Sequence, residues 1–350
     1  MCSTQVNDKL TGELALFCPL ERCSHYQKPD NKIKKDGIYR THSDPVPRQM
    51  YYCRRGGHRF SETHYSELKH KQGSMKEYEQ TAKLSCYGLS SEQIADVLDR
   101  DVRTIEHGLS GLGKKSEQFH THLCLTGLLI LHLVQMDELW SYLKRKKCQL
   151  WVFISFEVCS RFWLGFELGS RTIHTANRLV APFKRFGNWM GETLLKVTTD
   201  KLAAYKNALE KQFTNRPYHY LQIVKRRVKR RLVTVKKCFV KGTEEDFPEK
   251  TQNTSYIERF NLTLRQHVAY LTRKTLGYCK NKQHFKQVLW INLFNYNYIR
   301  FHRSLRIKIN NKTEKFTKKY HSYTPAMKIG LTQSVLTWRE LIIAPIPINH

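Results

Sequence analysis

The sequence predicts an α/β protein, and three observations carry that prediction. Apolar runs of strand length recur at Leu128–Asp137, Leu150–Val158, Phe162–Leu168 and Leu194–Thr199. A helical period intervenes at Thr172–Phe186 and returns after the last strand, and strands interspersed with helices build one sheet covered by helices. The third is composition: 350 residues, 40% of them apolar, can bury a real core, which excludes wholesale disorder. With 60 Lys and Arg against 30 Asp and Glu the net charge is +30. A polyanion is then the expected partner, because each cation laid on a phosphate releases a counterion. An acidic lipid surface is the competing partner. The longest apolar run, Leu123–Met136, contains His132 and falls short of the about twenty residues a membrane span needs. No secretory leader is read at the start. The expectation is a cytoplasmic, polyanion-associated protein with no membrane partner, its ten cysteines mostly plain thiols.

Residues 1–65 are polar and rich in Cys and His, with short strand-like pieces at Gly37–Arg40 and Gln49–Cys53. Cys18-x4-Cys23 and Cys53-x4-His58 offer four ligands from two turns, the supply a tetrahedral Zn²⁺ requires. A small region with little core would depend on that metal for its shape. Gly56 stands where a fourth Cys would be expected, so His58 or His25 would have to substitute. A ribbon that has lost its metal is the other reading.

Residues 75–115 read as a helix-turn-helix. Ser90 with Gln93 three residues on forms a capping-box pattern, and Leu89, Ile94 and Leu98 line one face. Asp99-Arg100 breaks the period, Asp101 can cap the next helix, and Val102, Ile105 and Leu109 give its buried stripe. Arg103, Thr104, Glu106 and His107 would then face outward, toward base edges in a major groove. A hairpin packed for structure alone is the bland alternative.

Carboxylates are scarce, so their positions carry information. Asp137 ends one apolar run and Asp200 another, while Glu258 opens a helical stretch on whose face Asn261 and Arg265 also lie. Two acids at strand ends and one on a helix can converge at a sheet edge, where mutual repulsion calls for a cation. Oxygen ligands favour Mg²⁺ or Mn²⁺, and two such ions support in-line phosphoryl displacement. Glu138 is a rival for the first position, though strand alternation sends neighbours to opposite faces. Each acid alone also reads as a turn or cap residue.

Residues 221–241 hold nine Lys or Arg and no acid, among them Lys225, Arg226, Arg227, Arg230 and Arg231. Together with Lys144–Lys147 and the cations after residue 259 they read as a phosphate-tracking surface. Gly242–Thr254 reads as a surface loop.

The words MDELW (Met136–Trp140), TTDKLAAY (Thr198–Tyr205) and YIERFNLTLRQHVAYLTRKTL (Tyr256–Leu276) resemble those of insertion-sequence-one-type transposases. The likeness extends through His284–Arg306 and back into the ribbon and helix-turn-helix. It implies a DDE enzyme whose catalytic domain, residues 128–306, is a ribonuclease-H-like mixed sheet flanked by helices, followed by a basic extension at 307–350. It further implies Asp137, Asp200 and Glu258 as ligands of two Mg²⁺ or Mn²⁺ ions. Asn261, Arg265 and the basic segments would hold DNA, with Zn²⁺ in the ribbon. Double-stranded DNA, as element ends and target, is the implied partner, and a homo-oligomer on DNA the implied assembly. The ribbon departs from the family's CxxC at Cys53–Gly56. A decayed or domesticated copy that only binds DNA is the alternative, and a nuclease of RNA–DNA hybrids is a further rival.

Overall fold

A computed structural model of the chain describes residues 15–28, 32–42, 44–66, 69, 73–127, 129–184, 194–228, 231–273, 277–309 and 320–346. The chain divides into two compact units. One comprises Met1–Gly127, Lys286–Arg300 and Gly330–His350, and the other Leu128–Phe285 and Phe301–Ile329.

In the first unit β1 (Ile33–Thr41), β2 (Asp44–Cys53) and β3 (His58–Ser61) form an antiparallel meander. Its small core gathers Phe17, Ile33, Tyr51, Phe60 and Tyr65 around Cys18, Cys23 and Cys53. Three helices follow: α1 (Met75–Cys86), α2 (Ser91–Leu98) and α3 (Val102–Thr126). The Ser90–Gln93 capping box forms as the sequence predicts, and Asp101 caps α3 by accepting from the Arg103 N–H at 2.8 Å. α3 is 25 residues long and so absorbs the start of the apolar run that begins at Leu123. Gly113 lets it approach the returning chain closely, since a Cβ there would lie 2.4 Å from the Gln287 Cβ.

Residues from the chain's far end complete this unit. Arg339 reaches the buried Glu62 carboxylate at 2.7 Å, and buried Lys115 donates to the carbonyls of Tyr65 and Ala344. A buried cation needs such oxygens, because desolvation without partners costs several kcal/mol. The extension read at 307–350 is therefore in part an integral piece of this unit.

The second unit is built on a six-stranded mixed sheet of order β6-β5-β4-β7-β8-β9. Its strands are β4 (Leu133–Tyr142), β5 (Gln149–Glu157), β6 (Phe162–Gly169), β7 (Leu195–Asp200), β8 (Tyr218–Val228) and β9 (Arg231–Lys241). β4 runs parallel to β7, and β7 to β8; the other pairs are antiparallel. Helices α4 (Ile173–Val180), α5 (Ala203–Gln212) and α6 (Ser255–His267) flank the sheet. The mixed α/β architecture agrees with the sequence prediction.

Two boundaries differ from it. β4 continues five residues past Asp137, because β5 pairs with it as far as Tyr142↔Gln149. The helix predicted to reach Phe186 is α-helical only to Val180 and tightens to a 3-10 turn at Ala181–Lys184, where Pro182 withdraws a backbone donor. Phe186 itself lies outside the described residues. Among the described residues no helix is long and apolar enough to cross a membrane.

Candidate active site and metal centres

β4 and β7 are in parallel register through Met136↔Thr199, so the next residues, Asp137 and Asp200, sit side by side at the carboxyl end of the pair. Directly opposite residues of parallel strands share a face. Ile223 of β8 pairs with Asp200, so Lys225, two residues on, points to that face too. α6 packs over it, and Gln135 fixes where. Its buried amide accepts from the Ile257 N–H at 2.9 Å and donates to the Asn253 carbonyl at 2.6 Å. One of the N–H groups that every helix start leaves unpaired is thus anchored on β4 two residues before Asp137. Sequence reading missed Gln135; its signal was a lone amide in the apolar run Leu133–Met136.

On α6, Asn261 is buried and its Nδ2 donates to Asp137 Oδ2 at 2.7 Å, while its Oδ1 is buried without a partner. Arg265 is half-buried; burial and the neighbouring Arg273 draw its guanidinium down, and Asp137 opposes them. Glu258 is exposed and paired: its carboxylate takes Lys225 Nζ and the Thr254 hydroxyl, the latter at 2.7 Å.

The carboxylates of Asp137, Glu138 and Asp200 have oxygens within 4.8 Å of one another. Glu258 lies outside that trio, although its charge reaches Asp137. Strand alternation alone would separate Glu138 from Asp137. Their carboxylate oxygens nevertheless meet beside Asp200, the last residue of β7. Glu138 is held by the Arg171 guanidinium, with Nε at 2.7 Å, and by Tyr205 OH at 3.2 Å. Burial and then Asp200 raise its carboxyl, and Arg171 opposes them. Burial, followed by the charge of Glu138 and then of Asp200 and Glu258, lifts Asp137 from its ordinary 3.8 to about 7. An all-oxygen donor set, mutual repulsion and an orphaned Asn261 oxygen beside Asp137 together suit a hydrated hard cation.

In the ribbon, Cys18, Cys23, Cys53 and His58 have ligand atoms within 4.8 Å of one another. Cys18 Sγ lies 2.9 Å from His58 Nε2, and Cys23 Sγ 3.8 Å from Cys53 Sγ. His58 Nδ1 is 2.8 Å from the Gly56 carbonyl, the contact that commits the other nitrogen to a metal. Gly56 is matched to this imidazole: a Cβ at position 56 would stand 2.1 Å from His58 Cε1. His25, the other candidate, pairs with Ser24 instead. Burial pushes the Cys18 thiol up to about 12, as expected for a thiol whose thiolate needs a cation. Soft thiolates plus one imidazole suit Zn²⁺.

Arg103, Thr104 and His107 are all exposed on the first turns of α3. Of residues 221–241, 221–228 lie in β8 and 231–241 in β9, an antiparallel pair at the sheet edge, with Lys225 turned to Glu258 and Arg226 exposed. Arg230 lies outside the described residues, and of Arg227 and Arg231 only the backbone is described.

Comparison with known proteins now bears on this geometry. Residues 130–250 match the family described as IS1 transposase. Over 195 residues the chain is 26% identical to the insertion element IS1 9 protein InsB of Escherichia coli (strain K12), spanning 55% of this chain and 92% of the relative. The same figures hold for an insertion element IS1 protein InsB of Haemophilus ducreyi. The insertion element IS1 4 protein InsB of Escherichia coli (strain K12) is 25% identical over the same span. These likenesses support a transposase of the insertion-sequence-one type. Residues 130–250 carry the family match, and it agrees with the resemblance that the motif words carried.

Proposed function

We propose that the protein is a DDE-type DNA transposase that binds the ends of its element, cleaves there and joins the freed 3′ ends to target DNA. The observation that carries this is the register of β4 and β7, which sets Asp137 beside Asp200 on the face α6 covers, with Asn261 donating to Asp137. The sheet order is compatible with the ribonuclease-H-like fold that the resemblance implies.

Asp137, Asp200 and Glu258 would hold Mg²⁺ or Mn²⁺, which supplies Lewis-acid polarisation of the scissile phosphate and a deprotonated oxygen nucleophile at neutral pH. Glu258 reaches its place by leaving Lys225. A DNA phosphate offers Lys225 a stronger set of acceptors than one carboxylate, and the freed Glu258 then swings toward the two aspartates. Asn261 keeps Asp137 oriented, and Arg265 lies where it can meet the phosphate. Arg226, Arg227, Arg230 and Arg231 on the basic hairpin follow the DNA backbone, and two ends held at once call for a homo-oligomer on DNA.

The ribbon, with Zn²⁺ on Cys18, Cys23, Cys53 and His58, supports α1–α3 as the element-end reader. Arg103, Thr104 and His107 enter the major groove. Arg103→Ala is expected to weaken binding to element-end DNA about 5- to 100-fold while non-specific binding falls much less; competition mobility shifts at fixed salt measure it.

The decisive experiment is strand transfer with Mg²⁺ on DNA bearing the element's ends. Wild type is expected to give joined product, and Asp137→Ala, Asp200→Ala and Glu258→Ala losses of at least about a thousandfold, in line with removing a group that acts as part of a unit. Wild type as inactive as the three variants would leave only a DNA-binding protein. Preferential digestion of an RNA–DNA hybrid would favour a hybrid nuclease.

A further inference from the structure

Beyond Glu138, the same face of β4 carries Trp140, exposed, and Tyr142, half-buried. Among the described residues Trp140 is the one exposed tryptophan, at 45% exposure. Its ring lies 5.5 Å from that of Tyr142, which stacks on Tyr278 at 6.0 Å and 17°. Water-facing aromatic rings side by side forgo the burial that normally justifies them. Across the ladder Trp140 pairs with Trp151, whose ring carries the Arg171 guanidinium at 5.0 Å. Arg171 also grips Glu138, so the shelf is continuous with the carboxylate site.

A cationic rim borders it. Lys144, Arg145, Lys146 and Lys147 are exposed in the turn after β4. Lys144 N–H donates to the Cys279 carbonyl at 2.8 Å, which ties this turn to the segment bearing Tyr278. No acid occurs from Leu139 to Phe156.

We propose that this shelf binds an unpaired nucleobase of the DNA strand being processed, stacked on Trp140 with its flanking phosphates on Lys144–Lys147. The proposal rests on the DNA-processing reading above and adds a site to it. Trp140 lies two residues beyond Glu138 on the same face of β4, about 7 Å along the strand, so the base is within a few nucleotides of the phosphate at the carboxylates. A flat π-face with a cationic border fits a base freed from its duplex, because paired bases present only edges. The acid-free, strongly basic rim selects a polyanion over an apolar protein partner.

The test uses the full-length protein and a short single-stranded oligonucleotide carrying 2-aminopurine, whose fluorescence changes when the base stacks. Trp140→Ala is expected to lose that change and to weaken single-strand binding about 5- to 100-fold, with duplex affinity held within about twofold. Trp140→Phe should retain most of both. Asp137→Ala should keep the stacking signal, so failure of the catalytic reading and failure of this one are told apart. Single-strand affinity unchanged in Trp140→Ala would overturn the proposal, as would an equal loss on duplex DNA. So would a change in oligomeric state, seen by sedimentation, without any effect on the oligonucleotide.

Discussion

Asp137→Asn is expected to abolish strand transfer and, without metal, to make the protein more stable than wild type. Asp137 is lifted to about 7 by burial and by Glu138, Asp200 and Glu258, whereas in the unfolded chain it titrates near its ordinary value of about 3.9. Between those two values the folded protein keeps a proton that the unfolded chain has released. Stability is therefore lost as pH rises from about 4 to 7, and the full penalty stands above 7. Asn has nearly the same shape and no charge, and its Oδ1 can still accept from Asn261 Nδ2. Relief of about 1–3 kcal/mol at pH 8, after discounting for partial exposure, corresponds to a few degrees in Tm. Adding Mn²⁺ should raise the wild-type Tm and leave the variant nearly flat, because a ligand that binds only the folded state stabilises it. Calorimetry at pH 5 and pH 8, with chelator and with Mn²⁺, measures both effects. A variant less stable than wild type at pH 8 in chelator would sink this account of the site.

The same residues show what the sequence reveals and what it conceals. β5 and β6 were legible because both their faces are buried, so their apolar runs are nearly unbroken. The second half of β4 was not: Glu138, Trp140 and Tyr142 interrupt its apolar pattern, and only pairing with β5 extends it. The β8–β9 hairpin was read as a basic segment without strands. Its solvated edge needs no apolar face, and its valines, such as the exposed Val233 and Val235, are swamped by cations. Alternation set Glu138 aside, but it fixes where side chains leave the strand, not where the carboxylate oxygens of Asp137, Glu138 and Asp200 come together. Asp137 and Asp200 could be paired from strand ends alone, whereas the resting tie of Glu258 to Lys225 depends on two side chains 33 residues apart. The pairing of Glu62 with Arg339 spans 277 residues and leaves no local trace at all.

Gly56→Ala is expected to cost this cluster its metal, although glycine where the resemblance expects a cysteine looks like a relic. Gly56 does not occupy the left-handed region, unlike Gly57 at φ 64°, so backbone strain is not the issue. The obstacle is steric. The new Cβ would meet His58 Cε1 at 2.1 Å, His58 Nδ1 at 2.6 Å and Cys23 Sγ at 3.1 Å. His58 cannot simply step aside, because its Nδ1 holds the Gly56 carbonyl and its Nε2 faces Cys18. Displacing the ring removes one of four ligands and leaves three buried thiols, one already pushed up to about 12 by burial. A structural Zn²⁺ contributes about 10 kcal/mol or more to folding such a region, and this ribbon's core is the ligands themselves plus a few aromatic rings. Wild type should therefore carry one zinc per chain by atomic emission, and Gly56→Ala much less after dialysis against a mild chelator. Proteolysis within residues 15–66 should rise in parallel. Gly57→Ala is the control: nothing lies within 4 Å of its Cβ, so it should cost about 1 kcal/mol of backbone strain and keep its zinc. Gly56→Cys combined with His58→Ala should restore binding through four thiolates, with the imidazole gone from the space the new side chain needs. Equal zinc content in Gly56→Ala and wild type would mean that His58 is not a ligand.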